Sequence, residues 1–108
     1  MKRITVLMAD DNRAMRKSIR KILQCEDDLE VVGEAKNGHE AVAMATRLRP
    51  ALVLMDVAMP LLNGLRATYQ ILKAVPATKV LMLSAHGDEG YIVSGKRGAF
   101  YTRRPVPR

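Results

Sequence analysis

Asp10 and Asp11 stand side by side at the end of the apolar run Ile4 to Ala9, and Asp56 stands at the end of another, Ala51 to Met55. In a parallel α/β sheet the carboxyl ends of neighbouring strands lie together, so acids distant in the chain can meet where the strand order reverses. Three carboxylates at that distance repel one another unless a cation sits among them. An all-oxygen set with room for waters suits Mg²⁺ better than a soft metal, with Mn²⁺ as the alternative ion. The acids therefore predict a divalent-cation site.

Placing them requires a sheet. Strand-length apolar runs occur at Ile4 to Ala9, Leu29 to Val32, Ala51 to Met55 and Lys79 to Leu83, with helix-length segments between them. Met15, Ile19, Ile22 and Leu23 recur at helical spacing, as do Ala41, Met44, Ala45 and Leu48, and less regularly Leu65, Ile71, Leu72 and Val75. Each helix thus has one face for a sheet. Near-continuous Val, Leu, Ile and Met in the strands imply burial on both sides, which a doubly wound α/β fold with a parallel sheet provides. Asn37-Gly38, Arg49-Pro50, Pro60 and Asn63-Gly64 punctuate the elements at the expected places. Beyond Ser84 the pattern weakens. Gly87, Gly90, Gly95 and Gly98 dilute a fourth helix, since Gly is about 1 kcal/mol worse than Ala in a helix interior. A fifth strand is expected over Ala99 to Thr102, and Pro105 and Pro107 follow it with no fifth helix.

At 108 residues, 48% hydrophobic and 27% charged, the chain reads as a single soluble domain spanning residues 1–108, and wholesale disorder is excluded. No apolar stretch reaches membrane-spanning length and no signal sequence precedes the first strand, so a cytoplasmic location is expected. The lone Cys25 cannot form an internal disulfide and, within a helical pattern, is read as a half-buried thiol without chemistry. The net charge of +7 divides between two places. Arg13, Arg16, Lys17, Arg20 and Lys21 read as the solvated face of the first helix, and Lys96, Arg97, Arg103, Arg104 and Arg108 form a basic tail.

The strings VLMADDN (6 to 12), VGEAKNGHEAV (32 to 42), LVLMDVAMPLLNGL (52 to 65) and KVLMLSAH (79 to 86) closely resemble a response-regulator receiver domain of the NarL type. The resemblance covers about residues 3 to 86, and residues 87 to 108 diverge and are shortened. It implies a flavodoxin-like fold of sheet order 2-1-3-4-5. It also implies that Asp56 accepts a phosphoryl group from a sensor histidine kinase in a two-component phosphorelay. Asp10 and Asp11 carry over as the Mg²⁺-holding pair, Asp56 as a third oxygen ligand and the Ala58 carbonyl as the backbone ligand. Such an ion neutralises the incoming phosphoryl group and holds it in line. Ser84 matches the switch hydroxyl, able to donate a hydrogen bond to a phosphoryl oxygen. Such a domain is a signalling phosphoacceptor rather than an enzyme with an external substrate, and its full-length form is expected to regulate transcription.

The departures gather at the C-terminus. If Pro105 takes the family's proline position, Arg104 stands where the family has Lys and Tyr101 falls on the aromatic switch. A planar guanidinium is not equivalent to a compact ammonium at a phosphate contact. Absence of the last helix would uncover apolar sheet surface, which predicts a homodimer, with exchange of elements as one route. The alternative reading is a divergent receiver that acts as a dimerising interaction module without a working phospho-switch. No helix-turn-helix output domain fits within this length, so direct DNA binding by this chain is not expected. His39 and His86 are read as exposed, the methionines as core filler and Tyr69 as surface or packing.

Overall fold

The computed structural model describes residues 3–57 and 59–83, together with the backbone of strands 90–94 and 99–102. In chain order the elements are β1 (Ile4–Ala9), α1 (Arg13–Gln24), β2 (Leu29–Ala35), α2 (Gly38–Leu48), β3 (Leu52–Asp56), α3 (Gly64–Ala74), β4 (Lys79–Leu83), β5 (Gly90–Ser94) and β6 (Ala99–Thr102). The first four strands form a parallel sheet in the order β2-β1-β3-β4, the flavodoxin-like arrangement expected from the sequence. Because β1 and β3 are neighbours at the centre, their carboxyl ends, and the acids there, share one rim.

Beyond β4 the structure departs from expectation. Residues 90–94 form no fourth helix but a strand antiparallel to β4, and β6 pairs antiparallel with β5 at the sheet edge rather than beside β4. Gly90-Tyr-Ile-Val is a poor helix and a good strand: glycine weakens helix formation, whereas aromatic and β-branched residues suit a pleated surface. The expected absence of a fifth helix concerns residues outside the described ones.

Each described helix begins in the same way. Asn12, Asn37 and Asn63 are N-caps in extended conformation whose side-chain oxygens accept from the amides of Met15, Glu40 and Arg66. Such caps stabilise a helix by about 1 kcal/mol each. α2 ends on Arg49 in the left-handed conformation (φ 48°), whose amide donates to the Ala45 carbonyl, and Pro50 stops the helix there.

The core divides between the two faces of the sheet. On one, Leu7, Ala9, Val53, Met55, Val80 and Met82 are buried against Ala41 and Ala45 of α2 and Ala67 and Ile71 of α3. On the other, Val6, Met8 and Leu54 pack with the half-buried Ile19 and Leu23 of α1. Full burial of one such aliphatic side chain is worth about 1.5–3 kcal/mol. The pairing of β1 with β2 contains a bulge: Val6 faces Val31, but the next residue, Leu7, faces Gly33, so Val32 is supernumerary.

Several side chains lie elsewhere than the helical spacing suggests. Met15, Ile22 and Leu65 are exposed, and Cys25 is exposed rather than half-buried. Arg16, expected on a solvated face, is only 8% exposed. His39 and Tyr69 are exposed, as expected.

Candidate metal centre

The rim where β1 and β3 end is built by their loops. The Asp10 amide donates to the Ala35 carbonyl at 3.0 Å, which extends the β1–β2 ladder to the first acid. The Asn12 amide then donates to Asp10 Oδ1 at 2.8 Å, folding the start of α1 back onto the same carboxylate. That bond orients the carboxylate and leaves its other oxygen geometrically available. Asp10 is half-buried and Asp11 exposed.

Asp56 ends β3 opposite Leu83, the last residue of β4. The loop after it is tied at both ends, because the Val57 amide donates to the Leu83 carbonyl at 3.3 Å while its carbonyl accepts from the Gly64 amide at 2.9 Å. Gly64 is required by close approach: a Cβ there would lie 2.1 Å from the backbone oxygen of Asp56. α3 therefore starts directly against the strand end that carries Asp56. Gly38 plays the same part for α2, where a Cβ would lie 2.0 Å from the Leu62 carbonyl oxygen. Within the loop, Leu61 has a left-handed backbone (φ 69°) and projects an 80% exposed side chain.

These loops bring the three acids together. One carboxylate oxygen from each of Asp10, Asp11 and Asp56 lies within 4.8 Å of the others, with Asp10 and Asp56 half-buried and Asp11 open to solvent. Three hard oxygens so arranged, open on one side, fit a cation that keeps part of its hydration shell, as Mg²⁺ does. Ser84, Ala58 and Arg104 lie outside the described residues, and of Tyr101 only the backbone in β6 is described.

Three side chains behind the site, Arg16, Glu34 and Arg20, were not expected from the sequence. Arg16 Nη1 donates to the Asp10 carbonyl oxygen at 2.6 Å and its Nε to Glu34 Oε1 at 3.2 Å, while Arg20 donates to the second oxygen of Glu34. Arg16 lies three and seven residues before Ile19 and Leu23, the half-buried apolar positions of α1. That spacing was the available signal.

The chain is similar to proteins of known family. The family model of the response regulator receiver domain matches residues 6–101. The chain is 37% identical over 90 residues to the transcriptional regulatory protein DegU of Brevibacillus brevis, covering 83% of this chain and 38% of that protein. It is 41% identical over 97 residues to the chemotaxis protein CheY of Listeria monocytogenes, covering 89% of this chain and 81% of that one. Among solved structures, the signal receiver domain of the response regulator NarL from Mycobacterium tuberculosis superposes with a TM-score of 0.76 at 28% identity, covering 81% of this chain and 70% of that one. The chain spans less than half the length of the transcriptional regulators it matches.

Proposed function

This chain belongs to the response regulator receiver domain family, and from that membership we propose that it accepts a phosphoryl group on Asp56 from a sensor histidine kinase. The observation that carries the reading is the approach of Asp10, Asp11 and Asp56 oxygens to within 4.8 Å at one rim of the sheet.

In the proposed reaction an Asp56 carboxylate oxygen forms a bond to phosphorus as the phosphorus–nitrogen bond of a phosphohistidine breaks. The electron pair stays with the departing imidazole. Asp10 and Asp11, with Asp56 and the Ala58 carbonyl, would hold Mg²⁺ or Mn²⁺, and that ion, when bound, supplies positive charge against the phosphoryl oxygens. Asp10 keeps its orientation through the Asn12 amide. The two hydrogen bonds of Val57 and the close seat of Gly64 hold the acceptor's strand end in place. Phosphoryl transfer depends chiefly on positioning and electrostatics, so a rim built this firmly is suited to it. Ser84, which follows Leu83, is assigned the hydroxyl that reports the new phosphoryl group, with Tyr101 and Arg104 as its partners in the response.

Incubation with acetyl phosphate and Mg²⁺ followed by intact mass tests the reading. The native chain is expected to gain one phosphoryl mass and Asp56→Asn none. No gain on the native chain, or an undiminished gain on the variant, removes the proposal.

No helix among the described residues is long and apolar enough to cross a membrane; the cytoplasmic setting and the role in transcriptional control are parts of the proposal, the latter supported by relatives such as DegU. A second reading, an interaction module without a working phospho-switch, is favoured by β5, a strand where the family carries its fourth helix. Homodimerisation belongs to it. Beryllofluoride discriminates the two: a change in sedimentation or in the amide spectrum supports the switch, and an unaltered dimer supports the module.

A further inference from the structure

We infer that Arg16 is a positioning residue of the acid site, fixing the peptide that joins Asp10 to Asp11; the inference rests on the reading of those acids as a cation and phosphoryl site.

Arg16 is a charged side chain with 8% of its surface exposed, and burying a guanidinium is unfavourable unless its donors are used. Its donors go to two different strands. Nη1 reaches the Asp10 carbonyl oxygen at 2.6 Å and Nε reaches Glu34 Oε1 at 3.2 Å, so one planar fork joins α1, the end of β1 and the end of β2. Arg20, one turn further along α1, takes the other Glu34 oxygen and holds that carboxylate beneath the fork.

The Asp10 carbonyl belongs to the same planar unit as the Asp11 amide. Holding that oxygen therefore sets the plane from which Asp11 departs. The Asp10 amide is already engaged by Ala35 and its Oδ1 by the Asn12 amide, which leaves the Asp10–Asp11 peptide as the remaining joint between the two acids. Arg16 holds that joint. A lysine has no fork and cannot reproduce both bonds in one geometry. Groups that orient metal ligands from behind in this way commonly change affinity about 10–100-fold when removed.

The test compares Mg²⁺ affinity, thermal melting and the Asp11 amide resonance in the native chain and in Arg16→Lys, Glu34→Gln and Arg20→Met. Arg16→Lys is expected to weaken Mg²⁺ binding about tenfold or more and to shift the Asp11 amide resonance in metal-free protein. Glu34→Gln, which loosens the fork from the far side, is expected to weaken Mg²⁺ binding by less. Arg20→Met removes an ion pair on the same carboxylate without touching Asp10. Because Arg20 holds the Glu34 carboxylate beneath the fork, this variant is expected to weaken Mg²⁺ binding and to shift the Asp11 resonance by less than Arg16→Lys does. Native Mg²⁺ affinity with an unmoved Asp11 resonance in Arg16→Lys overturns the inference and leaves the acid-site reading standing. If Arg16→Lys fails to fold, native affinity in Glu34→Gln overturns it instead. A native chain indifferent to Mg²⁺ removes both.

Discussion

On the face of the sheet covered by α2 and α3, alanines at 41, 45 and 67 let the helices sit close upon Leu7, Val53, Met55 and Val80, and of the residues that α3 buries only Thr68 is polar. Across the sheet α1 rests on Val6, Met8 and Leu54 with Ile19 and Leu23 only half-buried, and a guanidinium takes the place a large apolar residue would otherwise fill. Burial on the first face supplies stability. The second gives up part of that burial for a charged fork tied to the strand end that carries Asp10. Stability is thus concentrated on the first face, while the site draws on both: Arg16 holds the Asp10 end from the α1 side and Gly64 seats α3 against the Asp56 end.

That division can be broken by substitution. Ile71→Ala, at a fully buried position on the α3 face, is expected to cost about 2–5 kcal/mol in urea unfolding, with Mg²⁺ affinity unchanged in the folded fraction. A loss comparable to that of Ile19→Ala on the half-buried face would mean that the two faces contribute alike. Gly64→Ala places a methyl group against the Asp56 carbonyl. It is expected to cost about 1–3 kcal/mol and also to slow phosphorylation by acetyl phosphate, because this is where the apolar face meets the acceptor strand. Asn12→Ala and Asn63→Ala each remove a helix cap, one on either face, and should each cost about 1 kcal/mol by chemical denaturation. Equal losses would show that the faces differ in packing and not in helix initiation. Ile22→Ala, at a position 67% exposed on α1, should change stability by less than about 0.5 kcal/mol. A larger effect would reveal burial of α1 in an assembly.

Much of this was legible in the residues. The runs Ile4 to Ala9 and Lys79 to Leu83 coincide with β1 and β4, and those near Leu29 and Ala51 mark β2 and β3 to within a few residues. Continuous apolar strands and period-matched helices express burial directly, so the parallel sheet and the acids at its strand ends followed from them, whereas the order β2-β1-β3-β4 came from the family resemblance. The burial of Arg16 is not legible in the sequence, because a guanidinium is buried only when its partners are in place, and those partners, Glu34 and a backbone carbonyl, lie on other elements. Periodicity carries no information about them. Met15 and Ile22 misled in the opposite sense, being apolar on a helix whose neighbours do not cover that flank. β5 is hard to see in the sequence because its glycine spacing also fits a weakened helix, whereas the Tyr91-Ile92-Val93 core between glycines favours pleating.

The supernumerary Val32 has one more effect. Side chains on a strand alternate sides, so Val31 and Glu34, three positions apart, belong on opposite sides of a regular ladder. Inserting one unpaired residue resets the parity: Val31 beside Val6 and Glu34 beside Met8 both look toward α1. An odd-numbered oily stripe and an even-numbered acid thereby occupy the same side of one short strand, and a single extra methine and peptide is what allows the guanidinium to find its counter-charge.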